Sequence, residues 1–431
     1  MLATSQPNLT ATFTLHNSLR SSQCRKQATF TIYLEVDSEK LSHRTLSTMS
    51  QTLPPKLLDQ IVNLACSDLD ARTIGACALV CKCWSFAYRP RLFHTVLVNR
   101  QDACARLVSL LSSSPTIAAY VRKLCLVTNT DNDHSGEPWA HLVPLLLSVE
   151  LPNADVLLFR GVRFDEMGVT LGLLASLSRL ASVTELRLHH CCFATLGDMQ
   201  GLLDGPSETS QKTVSHTLRL RALRVKRSAP GLSALLAWLL TTWTWCTLQT
   251  AEFPKIEDEE TDAVYRLLYA SGASLRDVTI GFSSNSIPNQ GPGSPIISRA
   301  TRESYASASL SDPTVMLAGC EALASLRIVN IDFTHGRLSW VPHLLSGITS
   351  ARLQSVALEI CADDPRDLDG MHWRRVEEAL RSRHFVALDR LEVVVLPWKT
   401  LCVDELCREV ERRLSYFDCC GMLEVTSRGS T

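Results

Sequence analysis

The chain lacks any strong excess of charge of one sign. Its 431 residues include 43 Lys and Arg against 44 Asp and Glu, which gives a formal net charge of −1. Proteins that bind nucleic acid through its phosphates need a basic surface, so this balance argues against a nucleic-acid partner. Runs of apolar residues long enough to cross a bilayer as a helix, about 20 residues, are also missing. We therefore expect no membrane partner.

Recognisable signatures of catalysis and secretion are missing as well. The sequence contains no glycine-rich phosphate-binding loop and no Ser-His-Asp motif. Its first residues, MLATSQPNLTATF, lack the charged segment and apolar run of a secretory signal. We expect a non-catalytic chain without a cofactor, located in the cytoplasm and/or nucleus. The 16 cysteines are then expected to be reduced and to act mainly as small apolar side chains.

The first 50 residues are rich in Ser and Thr and show little periodicity. We predict that residues 1–50 form a mostly disordered tail. Residues 1 to about 34 contain Arg20, Arg25 and Lys26 but no Asp or Glu, a composition shared by mitochondrial transit peptides. A transit peptide is therefore the alternative interpretation of this segment.

From residue 120 onward, short extended segments recur along the chain. Their fourth residues are Leu124, Leu157, Leu186, Leu223, Ala251, Val278, Leu326, Val356 and Leu391. The intervals range from 27 residues (Ala251 to Val278) to 48 residues (Val278 to Leu326), and most are close to the periods of leucine-rich repeats. Amphipathic helical stretches such as WRRVEEALRSR lie between them. This alternation predicts stacked strand-helix units with a parallel sheet over residues 100–428.

The Ser-, Pro- and Gly-rich stretch at 283–312 is predicted to be a disordered insertion.

Residues 53–98 contain a series of short motifs in a fixed order. These are Leu53-Pro54, Leu57-Leu58, Ile61, Leu79-Val80-Cys81-Lys82-x-Trp84 and Leu92-Phe93. In order and spacing they resemble an F-box, whose pattern has a Leu-Pro pair, a Leu-Leu pair and an Ile on the first helix and continues with Leu-Val-Cys-Lys-x-Trp and Leu-Phe. Lys56 departs from the pattern, because the family usually has an acidic residue there. An F-box followed by degenerate leucine-rich repeats is an arrangement familiar in fungal proteins.

The resemblance implies a substrate receptor of a Skp-cullin-F-box type ubiquitin ligase. The F-box would bind a Skp-type adaptor, and through it a cullin-RING ligase, while the repeats recruit an unknown protein substrate. The residues expected to contact the adaptor are Leu53, Pro54, Leu57, Leu58, Ile61, Val80, Cys81 and Trp84. The expected fold class is a small all-α F-box module followed by an α/β leucine-rich-repeat-like solenoid.

Two other functions stay open. In the first, the chain is a non-catalytic repeat scaffold whose F-box-like helices only cap the end of the solenoid. In the second, it is a metal-dependent or thiol enzyme, which would need a cysteine with a lowered pKa and a nearby base.

Clusters of potential metal ligands occur at three places. In CALVCKCW, Cys77 and Cys81 share one helix face while Cys83 points elsewhere, and an apolar role is favoured. In HHCC at 189–192, His189 with Cys191, or His190 with Cys192, could pair on one side of an extended chain, but ordinary strand-end residues are favoured. Cys419 and Cys420 lack the two-residue spacer of a zinc or redox pair. We expect no metal site.

Two further stretches invite a binding role. The acidic run EDEETD at 257–262 could bind cations, but it directly precedes a helical pattern and is better explained as a helix N-terminus. Trp238, Trp243 and Trp245 could form an exposed recognition site, although tryptophans in such a pattern more often fill a core.

Overall fold

The computed structural model describes residues 82–128, 138–164, 167–177, 179–194, 219–226, 231–242, 247–283, 316–333, 338–397 and 403–428. All of them belong to the second of two units, Leu58–Thr431. The predicted tail, residues 53–81 of the predicted F-box and residues 284–312 of the predicted insertion lie outside the described residues.

Eleven strands form one parallel sheet, and their order in the sheet follows their order in the chain. These strands are β1 Thr95–Val98, β2 Lys123–Val127, β3 Val156–Arg160, β5 Glu185–His189, β7 Ala222–Lys226, β8 Thr250–Ile256, β9 Asp277–Phe282, β10 Ser325–Asp332, β11 Ser355–Cys361, β12 Arg390–Leu396 and β13 Leu423–Ser427. Two short strands, β4 Arg163–Phe164 and β6 Cys192–Phe193, pair separately.

Helices connect most of these strands. They are α1 Lys82–Leu92, α2 Gln101–Ser113, α3 Pro115–Ala118, α4 Val143–Ser148, α5 Met167–Leu177, α6 Leu232–Thr242, α7 Asp258–Ser271, α8 Trp340–Ser346, α9 Trp373–Leu380, α10 Val403–Arg413 and α11 Ser415–Cys419. Two 3₁₀ helices, Pro138–Leu142 and Asp367–Gly370, precede α4 and α9. Parallel strands that follow one another in chain order through right-handed crossovers place their connections on the same face of the sheet.

The strands alternate between a buried and a half-exposed face. In β5, Leu186 and Leu188 are buried, whereas Glu185, Arg187 and His189 are only partly covered. The buried residues of the strands join residues of the helices in one continuous apolar cluster. The opposite side of the sheet is formed by the residues at the first, third and fifth positions of the strands, which pair in register. We call this side the half-exposed face.

Regular hydrogen bonds between successive connections align the strands. Before β5, the amides of Thr184 and Glu185 both donate to the carbonyl of Asp155, each at 2.9 Å. The amides of Arg221 and Ala222 donate in the same way to Thr184, at 2.7 and 3.0 Å. This backbone pattern recurs along the sheet although the sequence intervals vary, because peptide groups can make it with almost any side chain.

The expected fold class, a small all-α F-box module followed by an α/β leucine-rich-repeat-like solenoid, is wrong. The described residues form an α/β structure around one 11-stranded parallel sheet, and they include no separate all-α module. Residues 95–98, which the expectation assigned to that module, pair in parallel with β2 through Thr95–Lys123 to Val98–Leu126. The sequence TVLV has the β-branched and aliphatic residues that favour an edge strand over a helix.

Candidate interaction surfaces

The residues expected to contact an adaptor fall mostly outside the described ranges. These are Leu53, Pro54, Leu57, Leu58, Ile61, Val80 and Cys81. Trp84 is the exception, since it lies in the first turn of α1. Of the expected set, the described part of the chain therefore contains Trp84 alone.

Helix α1 combines an anchored and an exposed side. Tyr88 is buried, whereas Phe86, two residues after Trp84, leaves 75% of its surface exposed. The helix ends at Leu92, and the amide of Phe93 donates to the carbonyl of Arg89 at 3.0 Å. The carbonyl of His94 then accepts hydrogen bonds from Arg122 and Lys123. Phe86 is thus presented to solvent by a helix that is tied to the sheet.

A shallow groove lies beside the first strand of the sheet. It has a volume of about 250 Å³ and is lined by Val96, Leu97 and Val98 of β1 and by residues of α2 that include Ala103 and Leu107. Leu97 is 60% exposed. Strand β1 is the terminal strand of the sheet in the described part of the chain, so the groove marks an apolar edge.

Ion pairs cross the half-exposed face between neighbouring strands. Oε1 of Glu185 lies 2.8 Å from Nε of Arg187 and 2.8 Å from Nε of Arg224. Nη1 of Arg224 lies 3.2 Å from Oε2 of Glu252, and Nζ of Lys226 is 3.9 Å from Oε1 of the same glutamate. Burial alone would raise the pKa of Glu185, but Arg187 and Arg224 outweigh burial and lower it. The carboxylate is therefore held in its charged form.

A second set of ion pairs occupies strands β10 to β13 of the same face. Nη2 of Arg327 lies 3.0 Å from Oε2 of Glu359. Nη2 of Arg390 lies 2.7 Å from Oε2 of Glu424 and 3.7 Å from Oε2 of Glu392. Sequence reasoning missed both sets, and the available signal was the charged residues at the third, fifth and seventh positions of the recurring segments.

The HHCC stretch does not form a ligand cluster. His189 ends β5 on the half-exposed face, and His190 adopts a positive φ of 54°. Cys191 is buried, its thiol lies 3.5 Å from the carbonyl oxygen of Phe159, and burial raises its pKa to about 12. A thiol in that environment stays protonated, whereas metal ligation needs the thiolate. Within the described ranges, no group of three or more His, Cys, Asp or Glu side chains could hold a metal ion.

The other two cysteine motifs are only partly described. Cys77 and Cys81 lie outside the described ranges, and Cys83 lies in α1. Cys419 and Cys420 are exposed and free at the end of α11.

The acidic run at 257–262 begins a helix. Glu257 is the N-cap of α7, and a capping box joins it reciprocally to Glu260. A hydrogen bond from Lys255, whose Nζ lies 2.7 Å from Oε1 of Glu257, lowers the pKa of Glu257, and Ser283 adds to this effect. The predicted helix N-terminus is confirmed.

Trp238 is partly buried and packs against the apolar core from α6. Trp243 and Trp245 lie outside the described residues. For Trp238, the interpretation as a core residue is therefore confirmed.

Among the described helices, none is both long and apolar enough to cross a membrane. No family model and no curated protein sequence matches the chain.

Proposed function

We propose that the chain is the substrate-receptor subunit of a Skp-cullin-F-box type ubiquitin ligase. The observation that carries this proposal is the order and spacing of Leu53-Pro54, Leu57-Leu58, Ile61, Leu79 to Trp84 and Leu92-Phe93. In this function, residues 53–98 bind a Skp-type adaptor, and the unit that contains the sheet recruits a protein substrate. The site of action would be the cytoplasm and/or nucleus.

The exposed side of α1 supports an adaptor interface. Phe86 follows the Leu-Val-Cys-Lys-x-Trp motif and is 75% exposed, although large aromatic side chains are usually covered. Aromatic residues on a surface are frequent anchors of protein–protein interfaces because one side chain buries a large area. A partner that covers Phe86 would remove this apolar surface from water.

The chain would contribute positioning rather than chemistry. Ubiquitin transfer would take place on other subunits, while the adaptor and substrate surfaces hold the acceptor protein near them. Bringing two reactants together in this way can supply a large part of a rate enhancement. We assign no cofactor and no catalytic residue to the chain.

The half-exposed face is the best candidate for substrate recognition. Its side chains come from eleven successive strands, so one extended surface combines apolar, basic and acidic residues. The backbone beneath them is fixed by the parallel hydrogen-bond ladder, which preorganises the surface for binding.

A scaffold function is the second candidate, and one observation favours it. The stretch 82–98 is joined to the sheet through β1 and through the hydrogen bonds that the amides of Arg122 and Lys123 donate to the carbonyl of His94. Residues 53–98 could then serve only to cover the first edge of the sheet, without an adaptor. The two functions differ in whether a Skp-type adaptor binds.

Co-purification of the full chain with the adaptor tests the proposal. The triple variant Leu58→Asp, Val80→Asp and Trp84→Asp should lose the adaptor, because charges would replace the expected apolar contacts. Val386→Asp is the matched control, since Val386 is 82% exposed and lies between α9 and β12. Circular dichroism and thermal unfolding verify that both variants fold.

Equal recovery of the adaptor with the triple variant and the wild type contradicts the proposal. Absence of adaptor from the wild type favours the scaffold. A deletion variant should remove residues 53–81 and keep residues 82–98, because a deletion up to 98 would also remove the edge strand β1.

A further inference from the structure

Positive charge accumulates on the half-exposed face over strands β3, β5, β7 and β8. Its side chains there include four basic residues, Arg160, Arg187, Arg224 and Lys226, and two acidic residues, Glu185 and Glu252. Lys255, farther along β8, is paired with Glu257. The surplus over these strands is therefore two positive charges, although the whole chain has a net charge of −1.

The surplus belongs mainly to one row of the sheet. Arg160, His189 and Lys226 are register partners on β3, β5 and β7. Neighbouring strands lie ~4.8 Å apart, so Arg160 and Lys226 start from backbone positions separated by ~10 Å. Arg160 and Lys226 are both exposed. Arg160 forms no ion pair with a described residue, and Lys226 is 3.9 Å from its nearest carboxylate, Glu252.

The charge state of His189 reports the local potential. Burial lowers its pKa, and the positive charges of Lys226, Arg160 and Arg187 lower it further, against a smaller opposite effect of Glu252. The imidazole between the two cations is thus neutral at pH 7. The row presents two charged ends and an uncharged, hydrogen-bonding centre.

The other half of the face has the opposite balance. On β10 to β13, Arg327 and Arg390 are outnumbered by Glu359, Glu392 and Glu424, and both arginines are within 3.0 Å of a carboxylate. The surplus of positive charge on the half-exposed face therefore lies over β3 to β8 and not over β10 to β13.

Apolar side chains border the basic row on the side of β1. At the third strand position, Leu97, Cys125 and Leu158 precede Arg187 in register. At the fifth position, Val127 precedes Arg160. A partner that lies across the strands would contact apolar side chains on β1 to β3 and basic side chains on β3 to β7.

We propose that the half-exposed face over β3 to β7 binds an acidic segment of a partner protein, with Asp or Glu carboxylates at Arg160 and Lys226. The proposal deepens the proposed function, because this segment would belong to the recruited substrate. Carboxylates suit the row better than a phosphate group, since a phosphate concentrates its charge at one point whereas the cations are separated by a neutral imidazole.

Fluorescence anisotropy with the full chain tests this inference. The probe is a fluorescein-labelled peptide of alternating glutamate and serine with six glutamates. We expect binding that weakens as salt is raised, because exposed charges are screened. Arg160→Glu combined with Lys226→Glu should weaken binding at least about tenfold, since two attractions become repulsions.

The matched control is Arg374→Glu combined with Arg383→Glu, which makes the same change in net charge at exposed positions in α9 and in the connection that follows it. It should bind the probe as the wild type does. Three further probes serve for comparison. In the first peptide, glutamine replaces every glutamate. In the second, glutamine replaces every glutamate and phosphoserine replaces every serine, and the third probe is an oligothymidylate of twelve nucleotides. None of them should match the glutamate peptide.

The inference is overturned if the wild type does not bind the glutamate peptide. It is also overturned if the Arg160→Glu, Lys226→Glu variant binds the peptide as tightly as the wild type does, or if the control variant loses as much affinity as that variant. Preference for the phosphoserine peptide or the oligonucleotide would overturn it too. Co-purification of the adaptor is measured on the same variants. Absence of peptide binding by the wild type, with adaptor binding intact, refutes only this surface, whereas absence of the adaptor from the wild type refutes the ligase function.

Discussion

Asn330 donates a hydrogen bond from Nδ2 to the carbonyl oxygen of Pro254 at 2.6 Å, and so joins β10 to β8 across the intervening strand β9. The register shifts in both outer strands at this point, between Phe253 and Ile256 and between Ile328 and Ile331. Asn330 has a positive φ of 55°, a conformation that asparagine tolerates better than most residues. Gly281 of β9 lies beneath this bridge.

Replacement of Gly281 by alanine should destabilise the fold. A Cβ at this position would lie 2.2 Å from the oxygen of Pro254 and 2.6 Å from that of Val329, and both are backbone atoms. We expect a loss of about 2–4 kcal/mol in the free energy of unfolding, measured by urea denaturation. Gly168→Ala in α5 is the control, because a Cβ there meets nothing within 4 Å, and it should be neutral or slightly stabilising. Similar losses in both variants would contradict the close approach.

Ser350 should contribute to stability through one buried hydroxyl group. Its Oγ lies 2.8 Å from the carbonyl oxygen of Leu323 and 2.9 Å from that of Glu321, and it accepts the amide of Arg352 at 3.2 Å. Ser350→Ala should lower the free energy of unfolding by about 1–3 kcal/mol, because the buried backbone groups that bond to the hydroxyl would lose their partner. Ser346→Ala serves for comparison, because its hydroxyl bonds to His343 at an exposed site. An unchanged melting temperature for Ser350→Ala would refute the assigned role.

His189 should make the fold less stable at acidic pH. Its pKa is lowered by burial and by Lys226, Arg160 and Arg187, with Glu252 acting in the opposite direction. Below the ordinary value of about 6.5, the unfolded chain binds a proton that the native chain does not, so stability falls as pH decreases from there through the native pKa. Between pH 7.5 and 5, the melting temperature should fall more steeply for the wild type than for His189→Gln. Parallel curves would exclude this contribution.

Glu409 should stabilise the C-terminal helix α10 above acidic pH. A hydrogen bond from Arg412, supported by Arg413, lowers its pKa to about 2. The stabilisation is present above the unfolded value near 4.5 and is lost as pH falls from there towards 2. Glu409→Gln should therefore differ from the wild type in urea unfolding at pH 7, and the difference should shrink at pH 3. Glu378→Gln, which removes an exposed pair with Arg374, should have less effect at both pH values. A constant difference across this range would argue against the lowered pKa.

The recurring segments predicted much of the sheet. All nine residues named at their fourth position, from Leu124 to Leu391, are buried in strands. The prediction worked because alternation of apolar and polar residues is a local property of a strand. The last strand β13 was not predicted, since Leu423–Ser427 is a half-exposed edge with weak alternation.

The boundary of the N-terminal region could not be judged from local pattern. The F-box pattern placed Thr95–Val98 in an all-α module although these residues predict an extended segment, and the structure pairs them with Lys123–Leu126. A four-residue apolar segment can continue a helical module or join a sheet, and its partner lies about 28 residues away. Only the paired strand distinguishes these outcomes.

The sequence by itself determined nine of the eleven strands of the sheet, the buried residue at the fourth position of each recurring segment, and that α7 begins near Glu257. It did not determine which charged side chains meet on the half-exposed face. Arg160, His189 and Lys226 are separated by 29 and 37 residues, and Glu185 meets Arg224 only because β5 and β7 pair in register. That register depends on backbone hydrogen bonds between distant connections, which carry no side-chain signal. The tertiary structure therefore decided where the positive charge accumulates.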